Sequence, residues 1–270
     1  MRKFQAADIE RYISEMEYEL KTARVMQSEL LPSDEHLQRL QKKFGTSITS
    51  WFEPSDKISG DIWDAWQVSP TKLAVCLVDF STHGITAAMN TIRFFMLVRH
   101  RNKLMRDPAK YLQFLNKELC RVLLPQQFAT IIYGIVDITA HTFLYAAAGS
   151  TQPLMVRLGT TDVVAGDRAG LPLGISEKAS YDNRCLPLVP GTALFLYSDA
   201  MTEGRRADKA LIGDKGVIDI FKAASESAGK DLNMARILEK FFELAVRPLK
   251  DDLTAVCLVY PKNGKAVYNS

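Results

Sequence analysis

The chain has 270 residues, of which 47% are hydrophobic and 24% charged, as in a globular protein large enough to bury a substantial core. A formal net charge of +3 gives no general attraction for nucleic acid or an anionic membrane, so we expect neither as a partner. No apolar run approaches the roughly 18 residues of a membrane-spanning helix, and the N-terminus lacks a signal-peptide pattern. The four scattered cysteines, without a CxxC pair, favour reduced thiols and a cytoplasmic location.

Residues 5–31 are predicted to form one long helix, which Pro32 ends. Its apolar side chains recur in alternating steps of four and three residues, namely Ile9, Ile13, Met16, Leu20 and Ala23. This heptad-like pattern covers only a short stretch. Two interpretations stay open: the helix packs on its own domain, or it dimerises and transmits a signal. Residues 33–41 are predicted to start a second, short helix.

The rest of the chain alternates between strand-like and helix-like segments. The strand-like segments are apolar or β-branched runs bounded by turn residues, at 48–52, 60–68, 73–79, 128–137, 142–148, 153–158, 192–197 and 253–260. The helix-like segments lie at 85–100, 108–124, 217–228 and 232–246. Asp107 is the predicted N-cap of the second of these helices, with Pro108 as its first residue. The glycine-rich stretch 159–184 is predicted to be mostly loop.

Hairpin turns link several of these strands, so we expect largely antiparallel sheets with helices packed on their outer faces. The predicted fold is α+β, a four-layer α-β-β-α sandwich of two mainly antiparallel sheets flanked by helices, with an N-terminal linker helix. Residues 1–40 form the predicted regulatory or dimerisation region, 41–262 the main domain and 263–270 a loose tail.

Two acids are predicted to meet at one end of the second and third strands. Asp79 ends an apolar strand, and a carboxylate there cannot face the core unpaired without a large cost, so we expect it at a sheet edge within reach of a cation. A three-residue loop after Val68 puts Asp61 directly opposite Asp79, whereas a four-residue loop makes them diagonal neighbours. In both registers the two charges repel each other unless something positive lies between them.

Two further acids flank later strands. Asp199 follows the strand at 192–197, and Asp251 precedes the strand at 253–260. Each has an ordinary interpretation, since Asp199 can cap a helix and Asp251 can belong to a polar turn. If the last strand is antiparallel to the strands that end at Asp79 and Asp199, however, all four acids including Asp61 converge at one edge.

A cluster of four carboxylates, without a recognisable histidine or cysteine metal motif, suits Mg²⁺ or Mn²⁺ better than zinc. Two such ions can share the cluster, with one acid bridging them, and activate a water for in-line attack on phosphorus. A metal-dependent nuclease would use the same acids, but no basic patch accompanies them.

At these residues the sequence resembles a known family. The resembling motifs, in chain order, are ARVMQSELLP (23–32), SGDIWD (59–64), DFSTHGITAAM (79–89), GLPLGI (170–175), LYSDAMTEG (196–204) and DDLT (251–254). They are similar to the conserved blocks of the metal-dependent protein phosphatase 2C-like (PPM) serine/threonine phosphatases, in the bacterial RsbU and stage II sporulation E branch. The resemblance covers about residues 20–260 and implies that 41–262 is a phosphatase domain.

The resemblance implies two divalent metal ions, Mn²⁺ or Mg²⁺, and a metal-bound water as the nucleophile, without a covalent phosphoenzyme. The implied metal ligands are Asp61, Asp79, the Phe80 backbone carbonyl, Asp199 and Asp251. Asp79 bridges both ions, Asp199 binds one and Asp251 the other, while Asp61 binds directly or through water. Asp252 is implied to contact these ligands rather than the metal ions. His83 lies near the phosphate or stabilises its turn.

The resemblance further implies that the substrate is phosphoserine or phosphothreonine on a protein, usually a small anti-sigma-factor antagonist of the STAS fold. In this branch the first helix often follows a sensor or receiver domain. We therefore expect a homodimer through residues 8–31 and an upstream input domain.

The sequence departs from the family pattern at three glycines. Ser59 stands in the usual Gly-Gly-Asp, Thr82 in Gly-His-Gly, and Ala200 in Asp-Gly. Each replacement restricts the turn if that position needs positive φ. Since all four acids are present, an active phosphatase is the first hypothesis. The alternative is a catalytically weak or inactive phosphatase-like domain that acts as a regulatory binding module.

Overall fold

The computed structural model describes residues 6–82, 84–99 and 103–262. The α-helices in these ranges are α1 Ala6–Ser28, α2 Asp34–Phe44, α3 Ile85–Arg99, α4 Pro108–Val122, α5 Ala200–Glu203, α6 Gly213–Ala228 and α7 Met234–Phe242. The strands are β1 Ser47–Glu53, β2 Asp61–Ser69, β3 Lys72–Phe80, β4 Ala129–Asp137, β5 Thr142–Ala148, β6 Leu154–Arg157, β7 Val163–Ala165, β8 Arg184–Pro187, β9 Thr192–Tyr197 and β10 Leu253–Tyr260.

The strands form two five-stranded sheets, in the orders β1-β10-β9-β6-β7 and β2-β3-β4-β5-β8. Each neighbouring pair is antiparallel. One hydrophobic cluster joins the second sheet to α3 and α4, another joins the first sheet to α5, α6 and α7, and a third fills the space between the sheets. The predicted four-layer α-β-β-α sandwich is confirmed.

The alternation of side chains in β3 explains its unbroken apolar sequence. Residues 74, 76, 78 and 80 pack towards α3 and α4, whereas residues 73, 75 and 77 pack into the space between the sheets. Because both faces are covered, every position from Leu73 to Val78 is buried. Asp79 continues the series that faces the opposing sheet.

The two N-terminal helices contact the domain differently. In α1 the predicted apolar stripe is exposed over its first turns, where Ile9 is 49% and Ile13 51% exposed, and only the end of the helix turns against the domain. In α2, Leu37 and Phe44 are buried in the core between the sheets. The predicted domain boundary at residue 40 therefore falls inside a helix that packs on the sandwich.

Some elements differ from the sequence-based expectation. β7 and the first residue of β8 lie in the stretch predicted to be loop; both are short edge strands, formed by pairing with β6 and β5 rather than by a strong local pattern. Helix α7 is shorter than 232–246, because the Asn233 side chain caps its start and the Val246 N–H donates to the Arg205 carbonyl at 2.8 Å. The predicted tail 263–270 lies outside the described residues. In the ranges that the structure describes, no helix is long and apolar enough to cross a membrane.

Candidate metal centre

Asp61 and Asp79 are direct partners in the antiparallel register of β2 and β3. The turn that joins the strands is shorter than either predicted loop, since Ser69 pairs with Lys72 and an irregularity between Gln67 and Ser69 restores the register. The face-to-face arrangement of the two acids is thus the one that the three-residue loop predicted, although the loop itself differs.

Both acids face the space between the two sheets, at one end of the sandwich. Asp61 is only 2% exposed, whereas Asp79 is half-buried. From the opposing sheet, Asp199 lies two residues after β9 and Asp251 two residues before β10, which is antiparallel to β9. Asp199 is half-buried and Asp251 exposed, so the acidic cluster opens from a buried floor to the surface.

The four acids converge as expected, but they come from two sheets that face each other rather than from one edge of a single sheet. β10 pairs with β9 and β1 but not with β3, which belongs to the other sheet. Asp199 starts α5 without a capping hydrogen bond from its side chain, so the ordinary interpretation as a helix cap is not realised. The charge of its carboxylate interacts instead with those of Asp79 and Asp251.

Burial and mutual repulsion disfavour the charged forms of these acids. Burial, followed by the charge of Asp79, raises the pKa of Asp61 well above its usual value. Burial raises the pKa of Asp79 to about 7, with further contributions from Asp199 and Asp251. Burial and the charge of Asp251 raise the pKa of Asp199 to about 6. A cation among these groups would relieve the repulsion and restore the carboxylates.

The cluster fits a hydrated divalent ion of the kind that oxygen ligands bind. Oδ2 of Asp61 is buried and has no hydrogen-bond partner among the described atoms, and such an orphaned acceptor calls for a water or an ion. In the described ranges, no three Asp, Glu, His or Cys side chains are gathered tightly enough to enclose an ion by themselves. Mg²⁺ usually keeps several waters and takes only one or two carboxylates, so a closed protein cage is not required.

Asp252 holds the segment that precedes Asp61. Its Oδ1 accepts hydrogen bonds from the N–H and hydroxyl of Ser55, at 2.6 and 2.9 Å. Its Oδ2 accepts from the Ser59 hydroxyl and the Gly60 N–H, both at 2.7 Å. Since both oxygens are used in this way, the carboxylate fixes the loop that positions Asp61 instead of facing the cluster.

Gln27, in the last turn of α1, is buried against the same loop. Its Oε1 accepts from the Ser59 N–H at 2.9 Å, and its Nε2 donates to the Ser59 carbonyl at 2.7 Å and to the Thr91 hydroxyl of α3 at 2.9 Å. The Ser59 hydroxyl in turn accepts from the Asp61 N–H at 2.9 Å. A chain of hydrogen bonds therefore joins α1 to the backbone of a site acid.

The three glycine replacements do not strain the backbone. Among the described residues other than glycine, positive φ occurs only at Gln126, His141 and Lys209. Ser59, Thr82 and Ala200 thus need no left-handed conformation. The retained Gly84 does, with φ of 71°. Gly60 is also required as glycine, because a Cβ there would lie 3.1 Å from the carbonyl oxygens of Phe80 and Thr82.

Sequence reasoning placed the acids correctly at strand ends but missed their supporting residues. His83 lies outside the described residues, so its predicted role stays a prediction. Gln27 was not singled out, although it occupies the next position of the four-and-three stripe after Ala23 and is the only polar residue in it. A polar side chain at a core position of a heptad-like helix is the signal that would have found it.

Comparisons with known sequences identify a family and several relatives. The sequence profile of the stage II sporulation protein E (SpoIIE) family matches residues 69–261. Phosphoserine phosphatase RsbU of Bacillus subtilis (strain 168) is 23% identical over 207 residues, which are 76% of this chain and 60% of RsbU. Protein IcfG of Synechocystis sp. (strain ATCC 27184 / PCC 6803 / Kazusa) is 25% identical over 233 residues, 76% of this chain and 36% of IcfG. The chain thus spans between about a third and three fifths of the length of these relatives.

Solved structures share the fold. The SiaA-PP2C domain of Pseudomonas aeruginosa superimposes with a TM-score of 0.79 at 19% identity, covering 92% of this chain and 98% of that domain. The PP2C phosphatase domain of SpoIIE from Bacillus subtilis, with a fragment of its regulatory domain, gives a TM-score of 0.66 at 19% identity, with 81% and 64% coverage. The family profile spans well over half of the chain. The chain therefore belongs to the stage II sporulation protein E (SpoIIE) family, and it shares its fold with PP2C phosphatase domains.

Proposed function

We propose that this chain is an active metal-dependent phosphatase that hydrolyses phosphoserine or phosphothreonine on a regulatory protein. The observation that carries the proposal is the convergence of four carboxylates from both sheets at one open end of the sandwich. Four carboxylates gathered in this way repel one another unless a cation lies among them, and a purely binding module needs no such cluster. The unstrained backbone at Ser59, Thr82 and Ala200 removes the reason to infer an inactive site from the missing glycines.

Two divalent ions, Mn²⁺ or Mg²⁺, would be held by Asp61, Asp79, Asp199 and Asp251, with the Phe80 carbonyl as a further ligand. Asp79 suits the bridging role because its charge interacts with acids of both sheets. When bound there, such ions would supply an activated water for attack on phosphorus and would offset the charge of the phosphate. Asp252 positions the loop before Asp61 and takes no direct part.

The relatives support a proposal for the substrate class. RsbU and RsbP of Bacillus subtilis are named phosphoserine phosphatases, and a solved structure of Mycobacterium tuberculosis Rv1364c joins RsbU and RsbW domains in one protein. We propose that this chain likewise acts in a partner-switching pathway, on a phosphorylated STAS-type anti-sigma-factor antagonist. Its four free thiols are in keeping with a cytoplasmic location.

We also propose that residues 1–40 form a regulatory region and that the chain dimerises through α1. The exposed apolar stripe at Ile9, Ile13 and Met16 supports this, because such a stripe on a single helix is usually covered by a partner. Gln27 would carry a change in α1 to the loop before Asp61. The relatives are longer than the part that matches this chain, and we propose that a sensor or receiver domain is the source of the signal.

Hydrolysis of p-nitrophenyl phosphate with Mn²⁺, with Mg²⁺ and with EDTA tests the proposal. We expect metal-dependent turnover that Asp79→Asn abolishes, while circular dichroism shows an intact fold. The matched control is Asp162→Asn, which should retain turnover. Asp162 is an exposed acid in the connection between β6 and β7, which belong to the sheet that does not contain Asp79. Unchanged turnover in Asp79→Asn would refute the assignment. No turnover together with no Mn²⁺ binding by calorimetry would favour the regulatory binding module.

A further inference from the structure

A groove with a volume of about 380 Å³ opens beside the acidic cluster. It lies between the segment that follows α5 and the segment that leads into β10, and Asp251 belongs to its lining. Its other lining residues include Glu203, Arg205, Leu211, Val246, Leu249 and Lys250. We call it the Arg205–Lys250 groove. Its shared residue Asp251 makes it continuous with the candidate metal centre.

The walls of the groove are held in place by hydrogen bonds. Arg205 and Leu211 form an antiparallel bridge, and the Val246 N–H donates to the Arg205 carbonyl at 2.8 Å, which ties one wall to the other. The second wall is anchored by Arg247, which donates to both carboxylate oxygens of Glu53, at 2.6 and 3.2 Å, and lies 4.0 Å over the Phe242 ring. The groove is thus a built feature of the fold.

The lining combines apolar surface with two basic residues, Arg205 and Lys250, and two acids, Glu203 and Asp251. Leu211 is 54% and Val246 50% exposed, and Leu249 is half-buried beside them. Arg205 and Lys250 are exposed, and within the described part of the chain neither forms an ion pair. With Asp251 holding a metal ion as proposed above, the two basic residues outnumber the remaining acid Glu203, so an occupant that brings an apolar side chain and a negative charge is complementary to the groove.

We propose that the Arg205–Lys250 groove binds the residues that flank the phosphorylated side chain of the protein substrate. An apolar side chain of that segment packs on Leu211, Val246 and Leu249, and an acidic one pairs with Arg205 or Lys250. This inference rests on the phosphatase function proposed above. It goes beyond that function because it assigns a sequence preference to residues outside the acidic cluster.

Chain geometry supports this occupant. An extended segment advances about 3.3 Å per residue, so two or three residues cover about 7–10 Å. A peptide whose phosphate reaches the acids must cross the surface that borders them, and the groove begins at Asp251 itself. A cavity of a few hundred Å³ is in the range that accommodates small ligands and side chains.

Peptide selectivity tests the proposal. Three nine-residue peptides with a central phosphoserine are compared: one carries Leu and Glu within three residues on the C-terminal side, one carries them on the N-terminal side, and one has Ser and Lys instead. We expect the protein with Mn²⁺ to prefer one of the Leu/Glu peptides over the Ser/Lys peptide by about ten-fold in kcat/KM. Leu211→Asp and Arg205→Glu should reduce this preference to about two-fold or less, mainly through KM.

The matched control is Val189→Asp, another exposed apolar residue, which lies just before β9 at the end of that strand opposite to Asp199. It should keep both turnover and preference. Equal kcat/KM for all three peptides, or a preference that survives in both groove variants, would overturn the groove assignment while leaving the phosphatase proposal intact.

A binding measurement separates the two proposals. A fluorescein-labelled phosphonate analogue of the preferred peptide is not hydrolysed, so its fluorescence anisotropy with Mn²⁺ reports binding alone. We expect its Kd to rise about ten-fold in Leu211→Asp and to stay unchanged in Val189→Asp. Groove-dependent binding without phosphate release from any substrate would refute catalysis but support the groove. Binding that is equal in all variants would refute the groove.

Discussion

The side chain of Gln27 pairs with the backbone of Ser59 through both of its polar atoms, at 2.9 Å to the N–H and 2.7 Å to the carbonyl. Gln27 lies in the last turn of α1, and Ser59 lies two residues before Asp61. The exposed helix that leads into the domain therefore fixes the segment that carries the most buried acid of the candidate metal centre.

Replacing Gln27 by alanine is expected to lower both stability and turnover. The buried backbone groups of Ser59 lose their partner, at about 1–3 kcal/mol for each group left unsatisfied, and a displaced Asp61 should reduce turnover by about ten-fold or more. Urea unfolding and p-nitrophenyl phosphate hydrolysis measure the two effects. The control is Gln41→Ala, because Oε1 of Gln41 accepts from the Ile48 N–H at the far end of the sandwich. If both variants lost turnover equally, Gln27 would act only through general stability.

A methyl group at Gly60 is expected to disturb metal binding. In Gly60→Ala the new Cβ meets the carbonyl oxygens of Phe80 and Thr82 at 3.1 Å, so the backbone beside Asp79 has to shift. We expect the Mn²⁺ affinity to fall about 10- to 100-fold, as when the supporting contacts of metal ligands are changed. Isothermal calorimetry with Mn²⁺ measures this. Gly229→Ala serves as a control for the substitution because no atom lies within 4 Å of a Cβ there, although its positive φ will cost some stability. Unchanged Mn²⁺ affinity in Gly60→Ala would contradict the expectation.

The adjacent acids Asp251 and Asp252 should respond differently to the same change. Asp252→Asn replaces an acceptor oxygen by an NH₂ group that faces donors from Ser55 or from Ser59 and Gly60, so stability should fall by about 2 kcal/mol or more, together with turnover. Asp251→Asn is exposed and keeps an acceptor for the Asp252 N–H, so turnover should fall with little change in Tm. Thermal unfolding and Mn²⁺-dependent hydrolysis distinguish the two. A larger loss of Tm in Asp251→Asn would reverse the assigned roles.

The stability of the metal-free protein should depend on pH in a defined direction. The pKa values of Asp79 and Asp199 are raised to about 7 and about 6, from a usual value of 3.8. Between about pH 4 and 7 the folded state therefore binds more protons than the unfolded state, and stability falls as the pH rises through this window. We expect the Tm in EDTA to be at least about 3 °C lower at pH 7.5 than at pH 5.

The pH effect should be absent when its causes are removed. Asp79→Asn is expected to flatten the dependence of Tm on pH in EDTA, and saturating Mn²⁺ should raise the Tm at pH 7.5 because it binds the folded state alone. Asp162→Asn, outside the cluster, should behave as the unchanged protein. A Tm in EDTA that rises from pH 5 to 7.5 would contradict the assigned repulsion.

The exposed stripe of α1 is expected to hold a dimer together. In the double variant Ile9→Glu and Ile13→Glu, charges replace the apolar contacts, and sedimentation velocity should detect a shift from dimer to monomer. Tyr18→Glu changes an exposed residue of the same helix that lies outside the stripe, and it should remain dimeric. A monomeric unchanged protein at micromolar concentration would refute dimerisation through α1.

The site could be predicted from the sequence only where local rules applied. A short turn between two strands fixed Asp61 and Asp79 as neighbours, and the structure pairs them directly. The prediction that Asp199 and Asp251 join them was right about the end of the sandwich, but it rested on a strand adjacency that holds for β9 and not for β3. The groove beside Asp251 was not foreseen, because its walls come from segments with no regular pattern.

The sequence by itself determined the strands, the helices and the position of the acids at strand ends, because side-chain alternation and turn chemistry act over a few residues. Only the tertiary structure decided which sheet each strand joins, and with it that acids of opposite sheets face one another. The tertiary structure also decided which residues hold the segment before Asp61 in place. Ser59 contacts Gln27 and Asp252, which are 32 and 193 residues away in the sequence. The heptad-like pattern marks Gln27 as an unusual polar residue, but it does not encode its partners, because these depend on how the two sheets and α1 pack together.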